Sequence, residues 1–266
     1  FGDNYKAQEN DFQVHSDWNL PAGEQKLFLE LNAAYFNTKY DSLYSVADSS
    51  RLFDQSFMQV QLKPYIRVDK GEYALDFGLN LYFLGNNDSR PVETNGGAYF
   101  FPELIVRYRA VPDVLSVVGG ITGLLERNTY RDINGMSPFI TTGQTSVPSR
   151  TIKAFVAAEG LLSSSTSFRV EGGYANLRSD AFLYRDPKFY LDSVSDGINV
   201  LYQDLGEFYA SGSINFNWEE KFLLTASATA RDFSLADNQL ALYRPYFEAQ
   251  VEGSYTYREK VGLGLM

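Results

Sequence analysis

Cysteine is absent from the 266 residues, and histidine occurs once. The first absence excludes a disulfide framework and any zinc site built on thiolates. Also missing is a run of 18 apolar residues, which rules out a membrane-spanning helix; a strand crosses a membrane with every second residue and needs no such run. Basic residues are in the minority, 23 Lys and Arg against 33 Asp and Glu, for a formal net charge of −10. A nucleic-acid binder would carry a basic face, so that partner is set aside. No Gly-rich phosphate loop, paired catalytic carboxylates or metal cluster stands out, and no cofactor is implied. The abundance is aromatic: 20 Phe and 19 Tyr require extensive burial or extensive contact with lipid.

The hydrophobic period is two along most of the chain. Tyr73, Leu75, Phe77, Leu79, Leu81 and Phe83 fall on one side, with Ala74, Asp76, Gly78, Asn80 and Tyr82 on the other. Side chains of a strand point alternately to opposite faces, so this segment is a strand with one greasy and one mostly polar face. Before it, Met58, Val60, Leu62, Pro64, Ile66 and Val68 oppose Gln59, Gln61, Lys63, Tyr65 and Arg67, and Asp69-Lys70-Gly71-Glu72 joins the two as a hairpin. Similar alternation covers 27–35, 103–110, 210–218, 222–231 and 247–257, and is blurred by Gly, Ala and Leu in 114–127, 151–162 and 166–178. Eleven strands and the start of a twelfth are expected. Pro64 removes a ladder hydrogen bond in mid-strand, and a bulge is expected there.

The connections sort themselves. Short ones are expected near 21–25, 69–72, 111–113, 163–166, 219–221 and 258–260. Long ones are expected near 41–55, 86–99, 128–150, 179–204 and 233–245. In an up-and-down meander alternate connections emerge at the same end, so one rim carries tight turns and the other long loops. Outer-membrane barrels have this asymmetry, whereas both ends of a soluble sandwich face water. Large polar groups on one face suit a wet interior, and the apolar face, with rings near strand ends such as Tyr73, Phe83, Trp218, Phe222, Tyr255 and Tyr257, suits lipid. Strands in hydrocarbon must close on themselves to leave no backbone unpaired. The fold class is therefore all-β, an antiparallel up-and-down transmembrane β-barrel. Phe1 and the alternating run Val261–Met266 read as the edges of a piece, so residues 1–266 are expected to be one barrel domain incomplete at both ends.

The Tyr- and Asn-rich style with acidic loops, and the stretch from Gly119-Gly120-Ile121-Thr122-Gly123 through Glu126-Arg127-Asn128-Thr129-Tyr130-Arg131 to Ser137-Pro138-Phe139, resemble outer-membrane barrels of Bacteroidota, especially TonB-dependent receptor-like proteins. The resemblance implies a location in the Gram-negative cell outer membrane, a 22-stranded barrel holding a plug domain, and uptake driven by an inner-membrane energy-coupling complex. An importer or related channel is one expectation. A non-transporting barrel that serves as a structural or assembly partner is the other.

Three sets of residues could carry chemistry. Lys63, Arg67, Glu103, Arg107 and Arg109 lie on the polar side of nearby strands; they form either a charged wall that lines a channel or grips a plug, or a mutually paired set in a filled barrel. Aromatic residues assigned to the long loops, Tyr44, Tyr130, Phe139, Phe182, Tyr184, Tyr190 and Tyr202 among them, suit capture of a small-molecule, sugar or peptide ligand, since rings stack on apolar ligand faces; they could equally fold the loops back over the barrel. His15 stands two positions from Asp17, a pair that could act as a general base, although no Gly-x-Ser-x-Gly accompanies it and a polar residue near the barrel mouth is the expected reading. Asp192-Ser193-Val194-Ser195-Asp196-Gly197 spaces oxygen ligands as a calcium loop does but lacks the closing bidentate Glu, so a solvated acidic loop is expected. The pairs Gly119-Gly120 and Gly172-Gly173 are expected to ease strand curvature.

Overall fold

A computed structural model describes residues 7–22, 25–40, 55–86, 96–137, 140, 147–185, 198–218, 221–235, 244–257 and 261–265. The alternating segments form twelve strands: β1 (Ala7–Ala22), β2 (Gln25–Tyr40), β3 (Gln55–Lys70), β4 (Tyr73–Asn86), β5 (Gly97–Val111) and β6 (Leu115–Glu126), then β7 (Ser149–Ser163), β8 (Thr166–Arg185), β9 (Ile198–Trp218), β10 (Phe222–Leu235), β11 (Phe247–Tyr257) and β12 (Val261–Leu265). They make one antiparallel sheet in sequence order, so each inner strand pairs its backbone with the strands before and after it. Among the described residues no ladder joins β12 to β1.

Short and long connections alternate along this meander as the sequence predicts, with one boundary displaced. The loop expected over 179–204 shrinks to 186–197, because β8 and β9 are 20 and 21 residues long. A bulge between Leu177 and Asp180 interrupts the alternation there and hides the continuing strand. The long connection after β6 holds the one helix among the described residues, α1 (Tyr130–Met136). Thr129 caps it: its hydroxyl accepts from the Asp132 amide at 3.2 Å, and the Asp132 carboxylate accepts from the Thr129 amide at 3.1 Å.

The bulge expected at Pro64 does not form. Leu62 pairs Leu81 and Tyr65 pairs Gly78, so the β3–β4 register is the same on both sides of the gap, and the ladder lapses without a shift. Proline lacks the amide hydrogen, and the strands close over the missing bond because residue 78 has no side chain. A Cβ at Gly78 would lie 2.5 Å from the Cβ of Tyr65. The bulges lie instead near strand ends, at Arg109/Val111 and Leu161/Ser163, besides the one on β8.

The greasy side of the sheet is its exposed side. Phe77 is 60% exposed and Val156 62%, and Leu75, Leu79, Ile152 and Val170 share that face. On the polar side Asn80 is 4% exposed and Glu103 6%. The sheet curls toward the polar side, since Arg127 at the end of β6 reaches Asp11 on β1, five strands away, at 3.5 Å. A soluble barrel packs its apolar residues inside; this one turns them outward. Exposed rings form two belts on that outer face. Trp18, Tyr73, Tyr108, Trp218 and Tyr255 lie near the tight-turn rim, and Phe12, Tyr35, Phe83, Phe100, Phe208 and Phe247 toward the long-loop rim. On β4 and on β9 the two belts stand ten positions apart, Tyr73 to Phe83 and Phe208 to Trp218. Ten residues at about 3.3 Å, tilted by about 40°, cover about 25 Å, the height of an outer-membrane apolar band.

Candidate functional site

The polar wall is organised in rows that run across the strands. Cross-strand neighbours on one face stand close enough for short amides to touch, so a level of the sheet can be stitched strand by strand. One such row starts on β1. The His15 Nδ1 meets the Asn32 Oδ1 on β2. Asn32 donates to Gln61 on β3 at 3.0 Å, and Gln61 donates to Asn80 on β4 at 3.1 Å. Asn80 donates to Glu103 on β5 at 3.4 Å and to the Gly123 carbonyl on β6 at 2.9 Å, and Thr122 donates to Glu103 at 2.8 Å. A carboxylate only accepts, so Glu103 sets which end of each amide faces which neighbour.

The five charged residues predicted as a wall share the concave face, yet they do different things. Lys63 lies between two carboxylates, 3.2 Å from Glu103 and 3.8 Å from Glu30. Arg67 grips Asp76 with two bonds of 2.6 and 2.7 Å and lies over the stacked pair Phe28 and Tyr65. Arg107 pairs with Glu159 at 3.2 Å. Arg109 sits at the tight-turn rim, where it holds Asp69 at 3.0 Å and the Gly71 carbonyl, tying the β3–β4 turn to β5. Only Lys63 and Glu103 pair within the set; the other partners come from residues the sequence pattern did not single out.

A second charged group lies farther along the same face. Arg169 on β8 bridges Glu159 and Glu171, with 3.1 Å to the latter. Glu171 also takes Lys153 at 2.7 Å and the Tyr209 hydroxyl at 2.6 Å, and the Lys153 ammonium lies 4.6 Å from the Tyr209 ring centre. With Arg107 on Glu159, the chain of opposite charges runs from β5 to β8, and the Tyr209 hydroxyl extends it by a hydrogen bond to β9. Only the alternation of single strands could have hinted at it, because the pairing depends on register between strands.

Toward the long-loop rim the wall turns aromatic. Phe36, Phe57, Tyr82, Leu84, Phe101 and Leu125 form a buried cluster, with the Arg127 guanidinium over Phe36 and the Arg150 guanidinium over Tyr99. Gln59 borders it, and its Oε1 is buried without a partner among the described residues. The start of α1 is fastened across the concave face: the Tyr130 amide donates to Glu9 on β1 at 2.8 Å, and Thr38 donates to the same carboxylate at 3.1 Å. A second cap forms at Phe182 and Leu205, with Leu177, Phe233 and Leu235 packed against them and Arg244 paired to Asp180 above Phe182.

The aromatic candidates separate accordingly. Tyr184 and Tyr202, expected in a loop, lie on β8 and β9 because those strands run past the bulge. Tyr130 opens α1 and is buried, and the Tyr202 hydroxyl accepts from the Val147 amide at 3.3 Å. Phe182 is core. Tyr44, Phe139, Tyr190 and the segment 192–197 lie outside the described residues. His15 has both ring nitrogens engaged, Nδ1 by Asn32 and Nε2 by Asp17 at 2.9 Å, so neither is left to take a proton from a nucleophile.

No family model matches the sequence, and no curated protein matches it. Solved structures do. The copper transporter OprC superposes with a TM-score of 0.62 at 11% identity over 95% of this chain and 42% of its own. The pyoverdine outer membrane receptor FpvA from Pseudomonas aeruginosa PAO1 gives 0.58 at 12% identity, over 97% of this chain and 41% of its own. The FrpB iron transporter from Neisseria meningitidis gives 0.61 at 7% identity, over 97% and 42%. The chain thus spans about two fifths of the length of these neighbours, and it has the fold of an outer-membrane barrel of the TonB-dependent receptor kind.

Proposed function

We propose that this chain is the barrel portion of an outer-membrane importer resembling TonB-dependent receptors. Its long loops capture a small-molecule, sugar or peptide ligand, and the concave wall guides that ligand or holds a plug domain. The inversion of the two faces supports this reading: paired charges line the concave side while exposed rings cover the convex one. In this scheme Lys63, Arg67, Glu103 and Arg107 form the wall together with Lys153, Arg169 and Glu171. Arg109 braces the rim. Tyr44, Phe139, Tyr184 and Tyr190 are the ligand-contact candidates, and Tyr130 and Tyr202 hold the loop base that presents them. Energy would come from an inner-membrane coupling complex.

The test is genetic. The full gene is deleted in its host, and growth is measured on ferric chelates, oligosaccharides and peptides as sole sources, beside a strain lacking the energy-coupling complex. Both strains are expected to lose growth on the same nutrient, with recovery when the gene is restored. A deletion strain that grows like its parent on every source, but becomes permeable to vancomycin, would overturn import and support a structural or assembly role.

A further inference from the structure

The connection from β6 to β7 joins neighbouring strands, yet its contacts lie on strands far from both. Its outgoing limb starts at Arg127, which reaches Asp11 on β1 and lies over the Phe36 ring on β2. The Tyr130 amide then donates to the Glu9 carboxylate on β1 at 2.8 Å. Thr38, the register partner of Glu9 on β2, donates to the same oxygen at 3.1 Å. The return limb leans the other way: Ile140 bridges Ile198 at the start of β9, and the Val147 amide donates to the Tyr202 hydroxyl on that strand at 3.3 Å. Asn128 ties the two limbs together, donating to the Val147 carbonyl at 2.6 Å and to the Ser149 hydroxyl at 2.8 Å. A loop that stood straight out from the rim would touch neither β1 nor β9. This one crosses the concave side.

The crossing is packed, not draped. Tyr130 is 4% exposed and Ile133 1%, and Glu9 is 5% exposed. A carboxylate is costly to bury unless it is hydrogen-bonded, so Glu9 is held by the groups it fastens. Beside it the rings of Phe36, Phe57, Tyr82 and Phe101 form the buried cluster on the concave side of β2 to β5. Side chains packed to the density of a protein interior leave no passage between them. We propose that residues 127–137 form a fixed constriction of the lumen at the long-loop rim, latched to β1 by Glu9, and that it sets the largest solute able to pass along the polar wall. Glu9 is a positioning residue here: it holds the crossing and does not touch the solute. The proposal rests on the membrane orientation and the wet concave side, and is independent of energised import.

Passive diffusion through the full-length protein in liposomes tests it. Swelling rates are compared for arabinose, sucrose and stachyose, which differ in size and carry no charge. Glu9→Ala takes the acceptor from the Tyr130 amide and is expected to raise the stachyose rate relative to arabinose severalfold. Asn128→Ala, which unties the limbs, is expected to act in the same direction. Glu9→Gln keeps a carbonyl oxygen for the Tyr130 amide and is expected to restore the wild-type ratio. Heat-modifiable migration confirms that each variant is folded. A ratio left unchanged in every folded variant, passage through none of them included, overturns the constriction. A Glu9→Gln protein as open to stachyose as Glu9→Ala overturns the latch. Neither result bears on the growth phenotypes that test import, because no energy source is present in the liposomes.

Discussion

Asn80 joins as much of the polar wall as the charged Glu103 does. Its side chain accepts from Gln61 and donates both to Glu103 and to the Gly123 carbonyl, so one amide links β3, β4, β5 and β6. Replacing it with leucine takes the Asn80 partner from the Gly123 carbonyl and the Gln61 amide, and removes one donor from the buried Glu103 carboxylate, which keeps Lys63 and Thr122. The expected loss is about 1–3 kcal/mol, the cost of leaving buried polar groups unmade, read as a lower urea midpoint for the fast-migrating folded band in detergent. Gln59, two positions along β3 from Gln61, is the contrast. Its Oε1 is buried without a partner among the described residues, so Gln59→Met forfeits little and is expected to fall within about 0.5 kcal/mol of wild type. If the two substitutions cost the same, the row of amides contributes nothing beyond the space it fills.

Elements depend on backbone features that side-chain patterns reveal only in part. The strand β4 is plain in the sequence because Leu, Phe and Tyr alternate with Asp, Gly and Asn without interruption. The upper part of β8 is not, because the bulge at Leu177/Asp180 shifts the alternation by one and puts Phe182 where a polar residue is expected. Ser179 bears the cost of that bulge. Its φ of 54° is left-handed, its amide donates to Asp204 at 2.8 Å, and its carbonyl accepts from Ser149 at 2.8 Å. Ser179→Gly should therefore be neutral or stabilising, whereas Ser179→Val should cost about 1–2 kcal/mol, both measured by the same urea titration; equal midpoints would show that the strand relaxes around the bulge. The helix α1 is too short for its periodicity to be visible, and Thr129 followed by Asp132 is the one signal that could have found it. At Pro64 a bulge is not needed to absorb the lost hydrogen bond, since Gly78, opposite the neighbouring Tyr65, already lets the strands close. Gly78→Val places its Cβ against Tyr65, and a loss of about 1–3 kcal/mol is expected from the overpacking. A folded yield like that of wild type would mean the ladder opens there at no cost.

At the scale of the molecule, the direction in which the sheet bends decides which solvent each face meets. Alternation alone fits either a soluble barrel or a membrane barrel; the sorting of connections made the membrane reading legible, and the contact from Arg127 to Asp11 places the polar side within the curve. The charged wall was legible as a face but not as a network. Which lysine meets which glutamate depends on register, and the small residues Ala154, Ala157, Ala158 and Gly160 of β7 conceal which side of that strand is polar. The two faces make opposite demands on the same substitution. Phe77 stands on the convex face of β4, four positions from Tyr73 in one aromatic belt and six from Phe83 in the other, close to the middle of the apolar band. An arginine there has only hydrocarbon around it and is expected to cost about 2–4 kcal/mol, while the same residue at Tyr73, level with the headgroups, costs about 0–1 kcal/mol. On the concave face Ser213 has Ser227 and Arg169 as register partners and water beyond them, so Ser213→Arg meets no hydrocarbon and should lie nearer the second value. The three variants, refolded into vesicles of dilauroylphosphatidylcholine and titrated with guanidinium chloride, should rank Phe77→Arg far below the other two. In a soluble barrel with the opposite curvature Phe77→Arg would still rank lowest, because Phe77 would be core, but Tyr73→Arg on the same face would fall with it, while Ser213→Arg would point outward and refolding would need no vesicle. Loss of the depth dependence between Phe77 and Tyr73 would therefore remove the membrane itself from the description.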